Sequence, residues 1–172
     1  GDLHTDITAN SGTVVIDAVT GVGNGDAIDT QVNILDLDNT TSGDVDIVEA
    51  DALDINELDQ DAAGGTVRVD TFGDLTIIAG QSGVTGTDGQ VTLEANGGPW
   101  TIGVNAVITT TGGEIRIWAD DHVTFSSDGD VTSAGGDVFV EADEVFIPDG
   151  VGAVVMSDGT VIDAGSGQIG IA

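Results

Sequence analysis

Three groups of mostly acidic residues in this chain have the side chains of a metal-binding site. The first group follows three aligned strand-like segments and contains Asn96, Asp120, Asp121, Asp143 and Glu144. The second group contains Asp128, Asp130, Asp149 and Asp158, and the third contains Asp36, Asp38, Asp44 and Asp46. Oxygen atoms of Asp, Asn and backbone carbonyls are the ligands that Ca2+ takes. The sequence therefore predicts Ca2+ as a bound cofactor, with solvated turn residues as the alternative interpretation of each group.

Known calcium-loop motifs do not match these groups. An EF-hand loop beginning at Asp36 would place Thr41 where glycine is needed and Ile47 where the bidentate Glu belongs. No glycine pair continues into the Gly-Gly-x-Gly-x-Asp nonapeptide of calcium-binding β-helices. The prediction of Ca2+ therefore rests on residue types and on their stacking.

The chain offers no arrangement for nucleophilic catalysis. His4 and His122 are isolated in sequence, and the chain has no Cys. Glycosidic cleavage needs only two carboxylates, so composition leaves a carbohydrate-active β-helix, glycoside-cleaving or glycan-binding, as the alternative function. The acid of such a pair needs a pKa raised by a pocket, and the sequence indicates no pocket. We therefore predict that the chain is not an enzyme.

The elements that must position these acids are copies of a Gly-x-aliphatic-x-aliphatic pattern. The copies begin at Gly12, Gly43, Gly65, Gly89, Gly113, Gly136 and Gly167. Subtracting successive residue numbers gives spacings of 31, 22, 24, 24, 23 and 31. Repeats in this range are typical of stacked arrays, and consecutive parallel strands connect with a right-handed path. The sequence predicts one domain over residues 1–172, a right-handed parallel β-solenoid of about seven coils with longer coils near both ends.

Alternation within each copy predicts which side chains form the inner wall. Two columns are expected along the first strands. The first column is Val14, Val45, Val67, Val91, Ile115, Val138 and Ile169, and the second is Ile16, Ile47, Val69, Leu93, Ile117, Val140 and Ile171. Trp100 is predicted to point inward, and Trp118 outward. Either Val107 or Ile108 is expected to continue the inner wall.

The charge of the chain excludes several classes of partner. It has 31 acidic residues against 2 basic ones, for a formal net charge of -29. Binding to nucleic acid or to anionic membrane surfaces needs clustered Lys and Arg, which are missing here. No apolar run is long enough to cross a membrane, so no membrane insertion is expected. Solvated cations, a saline environment or self-repulsion for solubility remain as explanations of the charge.

Both ends of the repeat array lack a capping element in the sequence, although solenoids usually carry one. The segment from Gly167 is a first strand, and residues 1–11 look like the trailing part of a coil. We therefore predict self-association or tandem arrangement, with an excised fragment of a larger protein as the alternative. The predicted interface residues are Gly1, Leu3, Ile7, Gln168, Ile169, Ile171 and Ala172.

The repeat from Gly113 to Gly136 contains Gly-x-Ile-x-Ile, then Val-x-Phe, then Val-Thr-x-x-Gly-Gly. This sequence resembles the β-helical repeats of filamentous haemagglutinin-like exoproteins and giant bacterial adhesins. The resemblance covers roughly Gly43 to Gly167. It implies a secreted or cell-surface rod with a structural or adhesive role, and partners such as glycans or other cells. It carries no catalytic residues onto this chain.

Overall fold

Aliphatic residues alternate with polar ones in short segments, and glycines or small polar residues separate these segments. Such segments favour short strands joined by tight corners. The computed structural model describes residues 4–23, 25–143 and 150–172, and within these ranges the structure is all-β with no helix. The described strands pair in parallel throughout. The predicted parallel β-solenoid is confirmed, with about six turns instead of about seven.

The described residues contain seventeen strands, which belong to one continuous sheet. The strands are β1 (Ile7–Ala18), β2 (Ile28–Asn39), β3 (Val45–Glu49), β4 (Leu53–Gln60), β5 (Val67–Thr71), β6 (Leu75–Ile77), β7 (Gly83–Gly86), β8 (Val91–Ala95), β9 (Ile102–Val104), β10 (Ile108–Thr110), β11 (Ile115–Ala119), β12 (His122–Phe125), β13 (Val131–Ser133), β14 (Val138–Ala142), β15 (Ala153–Met156), β16 (Ile162–Asp163) and β17 (Ile169–Ile171).

Each regular coil has three walls. The first wall stacks β3, β5, β8, β11, β14 and β17. The second wall stacks the start of β4 with β6, β9, β12 and β15, and the third stacks the end of β4 with β7, β10, β13 and β16. The long strand β2 starts on the first wall, where Ile28–Thr30 pair with β3, and continues along the second and third walls against β4. Strand β1 pairs with β2 from Thr30 to Asn39.

The core is the narrow aliphatic interior between these walls. The first-wall side chains from Val45 to Val140 that alternation placed inward are almost completely buried. Ile108 continues the third wall, whereas Val107 is 41% exposed. On the second wall Ile102 and Val104 point inward. The prediction for Trp100 was only partly right, because it precedes β9 and packs half-buried against the core.

The predicted register of the first coil was wrong. Val14 pairs with Leu35 and Ile16 pairs with Leu37, so the segment after Gly12 lies on the second and third walls. Val22 pairs with Val45, 23 residues later, so the first wall of the first coil starts at Val22 and this coil has the ordinary spacing. The long first coil is therefore an artefact of alternation, because any alternating strand that follows a glycine fits the same pattern.

The long final spacing is confirmed. Val138 pairs with Ile169, 31 residues later, and His122 pairs with Ala153 at the same separation. The extra residues therefore fall between β14 and β15. Part of this insertion, residues 144–149, lies outside the described residues.

Buried polar side chains close the corner between the third and first walls. Asn39 donates to the Gln60 side chain at 2.8 Å, and both residues are fully buried. Thr110 and Ser133 occupy the same wall farther along and donate to the carbonyl oxygen of Gly113 at 2.7 and 2.9 Å. Buried carbonyls need such partners, so these side chains satisfy the backbone where it leaves the ladder.

Glycine is required at this corner mainly because the backbones of successive coils approach closely. A Cβ atom on Gly113 would overlap the carbonyl oxygen of Gly89, and one on Gly136 would overlap that of Gly113. Neither glycine has a positive φ, although Gly43 and Gly64 do. At Gly113 and Gly136 the close approach of the neighbouring backbone therefore requires glycine, and a positive φ does not.

We predict that Gly113→Val severely destabilises the protein, because the backbone of the neighbouring coil cannot move without breaking its ladder. The expected loss in the free energy of unfolding is about 4 kcal/mol or more. Gly103→Ala is the matched control, since its added Cβ would meet only ordinary contacts of 3.5 Å or longer. Thermal and denaturant unfolding followed by circular dichroism would measure both variants. Equal stability of Gly113→Val and wild type would contradict the coil register.

Candidate functional site

Three carboxylates converge on the outer surface of the third wall. One oxygen from each of Asp38, Glu57 and Asp59 lies within 4.8 Å of the others. Among the described residues, no other three His, Asp or Glu side chains meet this closely. We call these residues the acidic triad. Asp38 is exposed and the other two are half-buried, so the triad is open to solvent.

A bulge in β4 brings these side chains together. Leu35 pairs with Ile55, but Asp36 pairs with Glu57, so Asn56 is the extra residue. Asn56 donates to the Asp36 carboxylate at 2.8 Å. The shift turns Leu58 into the core and leaves Glu57 and Asp59 on the outside. A bulge of this kind re-aims side chains at a bend.

The triad belongs to a longer column of like charges. Asp17 pairs with Asp38, and Asp38 pairs with Asp59, in three successive coils. Strands in a sheet are about 4.8 Å apart, so these carboxylates repel one another. Partial removal from water raises the pKa of Asp38, and its acidic neighbours Asp59, Asp17, Asp61 and Asp36 raise it further. A cation placed at the triad would relieve this repulsion.

The first predicted metal group does not converge in the structure. Asn96 donates to Asp70 at 2.8 Å, and Asp120 accepts from the backbone N–H of Gly97 at 2.6 Å. Asp121 lies 2.6 Å from the ring of His122. In the same group, Asp143 accepts from the N–H of Gly150 at 3.0 Å, and Glu144 lies outside the described residues.

The other two predicted groups are also separated, apart from Asp38. Asp130 accepts from the N–H of Val161 and Asp44 from that of Thr66, each at 2.8 Å. Asp128 and Asp158 are exposed turn residues. Asp149 lies outside the described residues, Asp36 is bonded to Asn56, and Asp46 contacts Arg68.

Sequence reasoning missed Glu57 and Asp59. The signal was present as two copies of one short pattern, Asp36-Leu-Asp38 and Glu57-Leu-Asp59, 21 residues apart. Aligning those two copies would have paired Asp38 with Asp59. The alignment that set Gly12 beside Gly43 concealed the pairing of Asp38 with Asp59, because that alignment gave the wrong register in the first coil.

The two arginines lie on the outer face of the first wall. Arg68 contacts Asp46 at 3.3 Å, Asp70 at 2.6 Å and Glu94 at 3.1 Å. Burial raises the pKa of Glu94, and the neighbouring Asp70 carboxylate raises it further, although the Arg68 guanidinium lowers it. The single Arg68 guanidinium therefore forms ion pairs with three carboxylates.

Arg116 covers the aromatic residues of the first wall. Its guanidinium lies 5.3 Å from the ring centroid of Trp118 and 5.9 Å from that of Phe139, and it pairs with Glu114. Trp118 pairs with Glu94 of β8 and with Glu141 of β14, and it alternates with the buried Ile117 and Ala119, as its predicted outward direction requires. Such contacts are typical cation–π packing.

Glu49 is a carboxylate sealed inside the solenoid. Its side chain is fully buried and accepts from the Thr30 hydroxyl at 2.8 Å and from the N–H of Val32 at 3.0 Å. Burial raises the pKa of Glu49 even though these donors favour the charged form. Glu49 therefore connects β3 to β2 through these two hydrogen bonds, and its buried carboxylate has no access to a substrate in solvent.

The last coil leaves part of the core open. Ile169 and Ile171 are 49% and 50% exposed, whereas the residues in the same two columns from Val45 to Val140 are at most 1% exposed. Gln168 and Ala172 are exposed beside them. We call the exposed edge of β15, β16 and β17 the open coil end. Of the other predicted interface residues, Ile7 is half-buried on β1, and Gly1 and Leu3 lie outside the described residues.

Together these features define the class of protein: a parallel β-solenoid with stacked acidic residues on its outer surface. Comparison with protein-family models, with curated proteins and with solved structures found no match for this chain. In the described part of the chain no helix is long and apolar enough to cross a membrane.

We predict that stability increases as the pH falls from 7 towards 5. The folded protein holds protons on Asp38, Glu49 and Glu94 more tightly than the unfolded chain does, since all three pKa values are raised. Stability is therefore lost as pH rises through the raised pKa values and regained below them. Thermal unfolding at a series of pH values should show a melting temperature a few degrees higher at pH 5.

The variant Glu49→Gln should flatten this pH dependence, because the buried group no longer titrates. Asp128→Asn makes the same change of charge at an exposed turn and serves as the control. Equal slopes of melting temperature against pH for the two variants would show that Glu49 contributes nothing.

Proposed function

We propose that this chain is a structural and adhesive module of an extracellular or cell-surface fibre, in which its open coil end receives a further β-solenoid coil. The observation that carries the proposal is the half-exposure of Ile169 and Ile171, two side chains that continue buried columns. Covering them would stabilise a junction by about 1 kcal/mol each, and the unpaired edge would gain ladder hydrogen bonds.

The distribution of polar groups supports a structural role over catalysis. Glu49 is sealed in the interior, and Glu94 is engaged by Arg68. A general acid needs to reach a substrate, and neither of these carboxylates with raised pKa values does so. The third carboxylate with a raised pKa, Asp38, is open to solvent, and the proposal assigns it to a cation site with Glu57 and Asp59. The extracellular assignment rests on the resemblance of the Gly113 repeat to adhesin repeats.

The carbohydrate-active alternative draws on Trp118 and Phe139, since aromatic faces stack on sugars. In this structure Arg116 lies over both rings. A sugar would have to displace that guanidinium before stacking. The exposed core at the open coil end therefore favours the fibre.

Calcium is the second part of the proposal, and the acidic triad is where this chain would hold it. Three carboxylates with oxygens within 4.8 Å of one another supply hard oxygen ligands, and the exposed position leaves room for waters. Asp59 also accepts a hydrogen bond from Thr85, which orients its carboxylate. Neutralising the triad would stabilise the early coils.

The fibre proposal predicts end-to-end association that depends on the open coil end. Purified protein should form elongated particles longer than one solenoid at high concentration, visible by negative-stain microscopy and sedimentation velocity over a range of salt concentrations. Ile169→Lys with Ile171→Lys should remain monomeric, because buried lysines would oppose the junction.

Gln81→Lys with Ser82→Lys is the matched control for that variant. It adds the same charge at the exposed turn between β6 and β7, away from the open coil end, and should associate like wild type. Short monomeric particles of wild type under every condition would refute the fibre proposal.

The calcium proposal predicts a higher melting temperature in Ca2+ than in a chelator. For a dissociation constant near 1 mM, typical of extracellular sites, 10 mM Ca2+ would add roughly 1.4 kcal/mol of stability. Glu57→Gln should lose most of this gain, and Asp54→Asn, an exposed residue of the same strand, should keep it. NaCl of equal ionic strength separates binding from screening, and an identical response to both salts would count against a site.

A further inference from the structure

A groove lies on the outer side of the corner between the first and second walls, and its volume is about 400 Å3. The lining residues come from successive coils and include Asp29, Thr30, Val48, Ala50 and Phe72. His4 and Thr5 form a further part of its rim. Val48 alternates with the buried Ile47 and Glu49, so the groove opens at the side of the stack and does not depend on a free end. We call it the corner groove.

Ala50 gives the corner groove its depth. The ladder between β2, β3 and β5 places Ala50 between Gln31 and Phe72 in the column of corner residues. The Gln31 side chain donates to the Asp51 carboxylate at 3.3 Å. The single methyl group of Ala50 therefore leaves a notch beside the much larger ring of Phe72.

Phe72 forms the aromatic wall of the corner groove. One edge of its ring lies against Gly97 of the next coil, where an added Cβ atom would be 3.2 Å from the ring. The Phe72 side chain is nevertheless 49% exposed, and the half-buried Val48 lines the same groove. An exposed aromatic face attracts cations and stacks with planar guanidinium groups.

The polar groups of the corner groove offer acceptors. Asp29 is half-buried, and its backbone N–H donates to the Asp6 carboxylate at 3.2 Å, so a second negative charge lies close by. Thr30 is 2% exposed, and its hydroxyl lies 2.8 Å from a Glu49 carboxylate oxygen and 3.3 Å from the carbonyl oxygen of Val48. The one hydroxyl proton is used inside the protein, so the Thr30 oxygen can only accept from the groove. Such a lining favours positively charged N–H donors.

We infer that the corner groove binds a basic side chain, Lys or Arg, of a partner protein, with its cation between Asp29 and Phe72 and its methylene groups against Val48. A bare metal ion would gain nothing from the apolar lining, whereas a basic side chain matches both the apolar and the acidic groups. The net charge of -29 attracts basic segments over a distance. The inference is independent of the fibre and calcium proposals, because it uses neither the open coil end nor the acidic triad.

A short arginine peptide, acetyl-Gly-Ser-Arg-Ser-Gly-amide, is the probe for this site. Nuclear magnetic resonance spectra of isotope-labelled protein in about 150 mM NaCl should show shifts concentrated at residues 29–31, 48–50 and 72. The expected dissociation constant is on the order of 1 mM, because a single side chain has few heavy atoms. The same peptide with citrulline in place of arginine keeps the shape without the charge and should bind about fivefold more weakly.

Three single substitutions in the groove should each weaken binding of the arginine peptide about threefold to fivefold. Asp29→Asn removes the charge, Phe72→Leu removes the aromatic face but keeps an apolar side chain, and Ala50→Leu fills the notch. Asp128→Asn and Ala63→Leu make the same kinds of change at exposed turns and are the matched controls. Thermal unfolding followed by circular dichroism would verify that every variant is folded.

Weaker binding by the three groove variants, with unchanged binding by both controls, supports the inference. Shifts spread along the acidic surface and equal in all variants would show unspecific attraction and overturn it. Equal binding of the citrulline peptide, or no shifts at tens of millimolar arginine peptide, would overturn it as well. Larger shifts of the groove residues with lactose than with the arginine peptide would replace it by a sugar site. Particle length in the microscopy experiment tests the fibre separately.

Discussion

Every coil of this solenoid depends on the coils beside it for its core. The inward side chains are small aliphatic residues, and only 3% of the chain is aromatic, so no single coil encloses a core of its own. Stacking supplies the missing contacts, as in other quasi-one-dimensional proteins. The close corners at Gly113 and Gly136 follow from this dependence, because a side chain there would hold successive coils apart.

Parallel stacking has an electrostatic cost for an acidic chain, since residues at one coil position lie directly above one another. With a net charge of -29, the same register that aligns Leu37 and Leu58 inside also aligns Asp38 and Asp59 outside. The chain offsets this on the first wall with Arg68 and on the third wall with threonines in the central coils. At the acidic triad the carboxylates remain next to one another, and the Thr85 hydroxyl donates to Asp59 at its edge.

The fold was predictable because its period is visible in the glycines and its alternation in the aliphatic residues. The columns from Val45 to Val140 came out as predicted for that reason. The first coil did not, since an insertion after Val22 interrupts the alternation and the segment after Gly12 imitates a first strand. The triad depends on that register and on the bulge at Asn56, which no spacing rule identifies. Asn96 and Asp120 shared an offset as expected, yet each found a different hydrogen-bond partner.

Successive coils have corners of different lengths, so this architecture tolerates insertions between its strands better than most folds do. The loop after β6 and the insertion before β15 change the length of a coil without altering which residues pair across it. Loops at these corners could therefore be lengthened, shortened or exchanged during evolution or by design. The walls would keep the loops of successive coils at a constant spacing of about 4.8 Å.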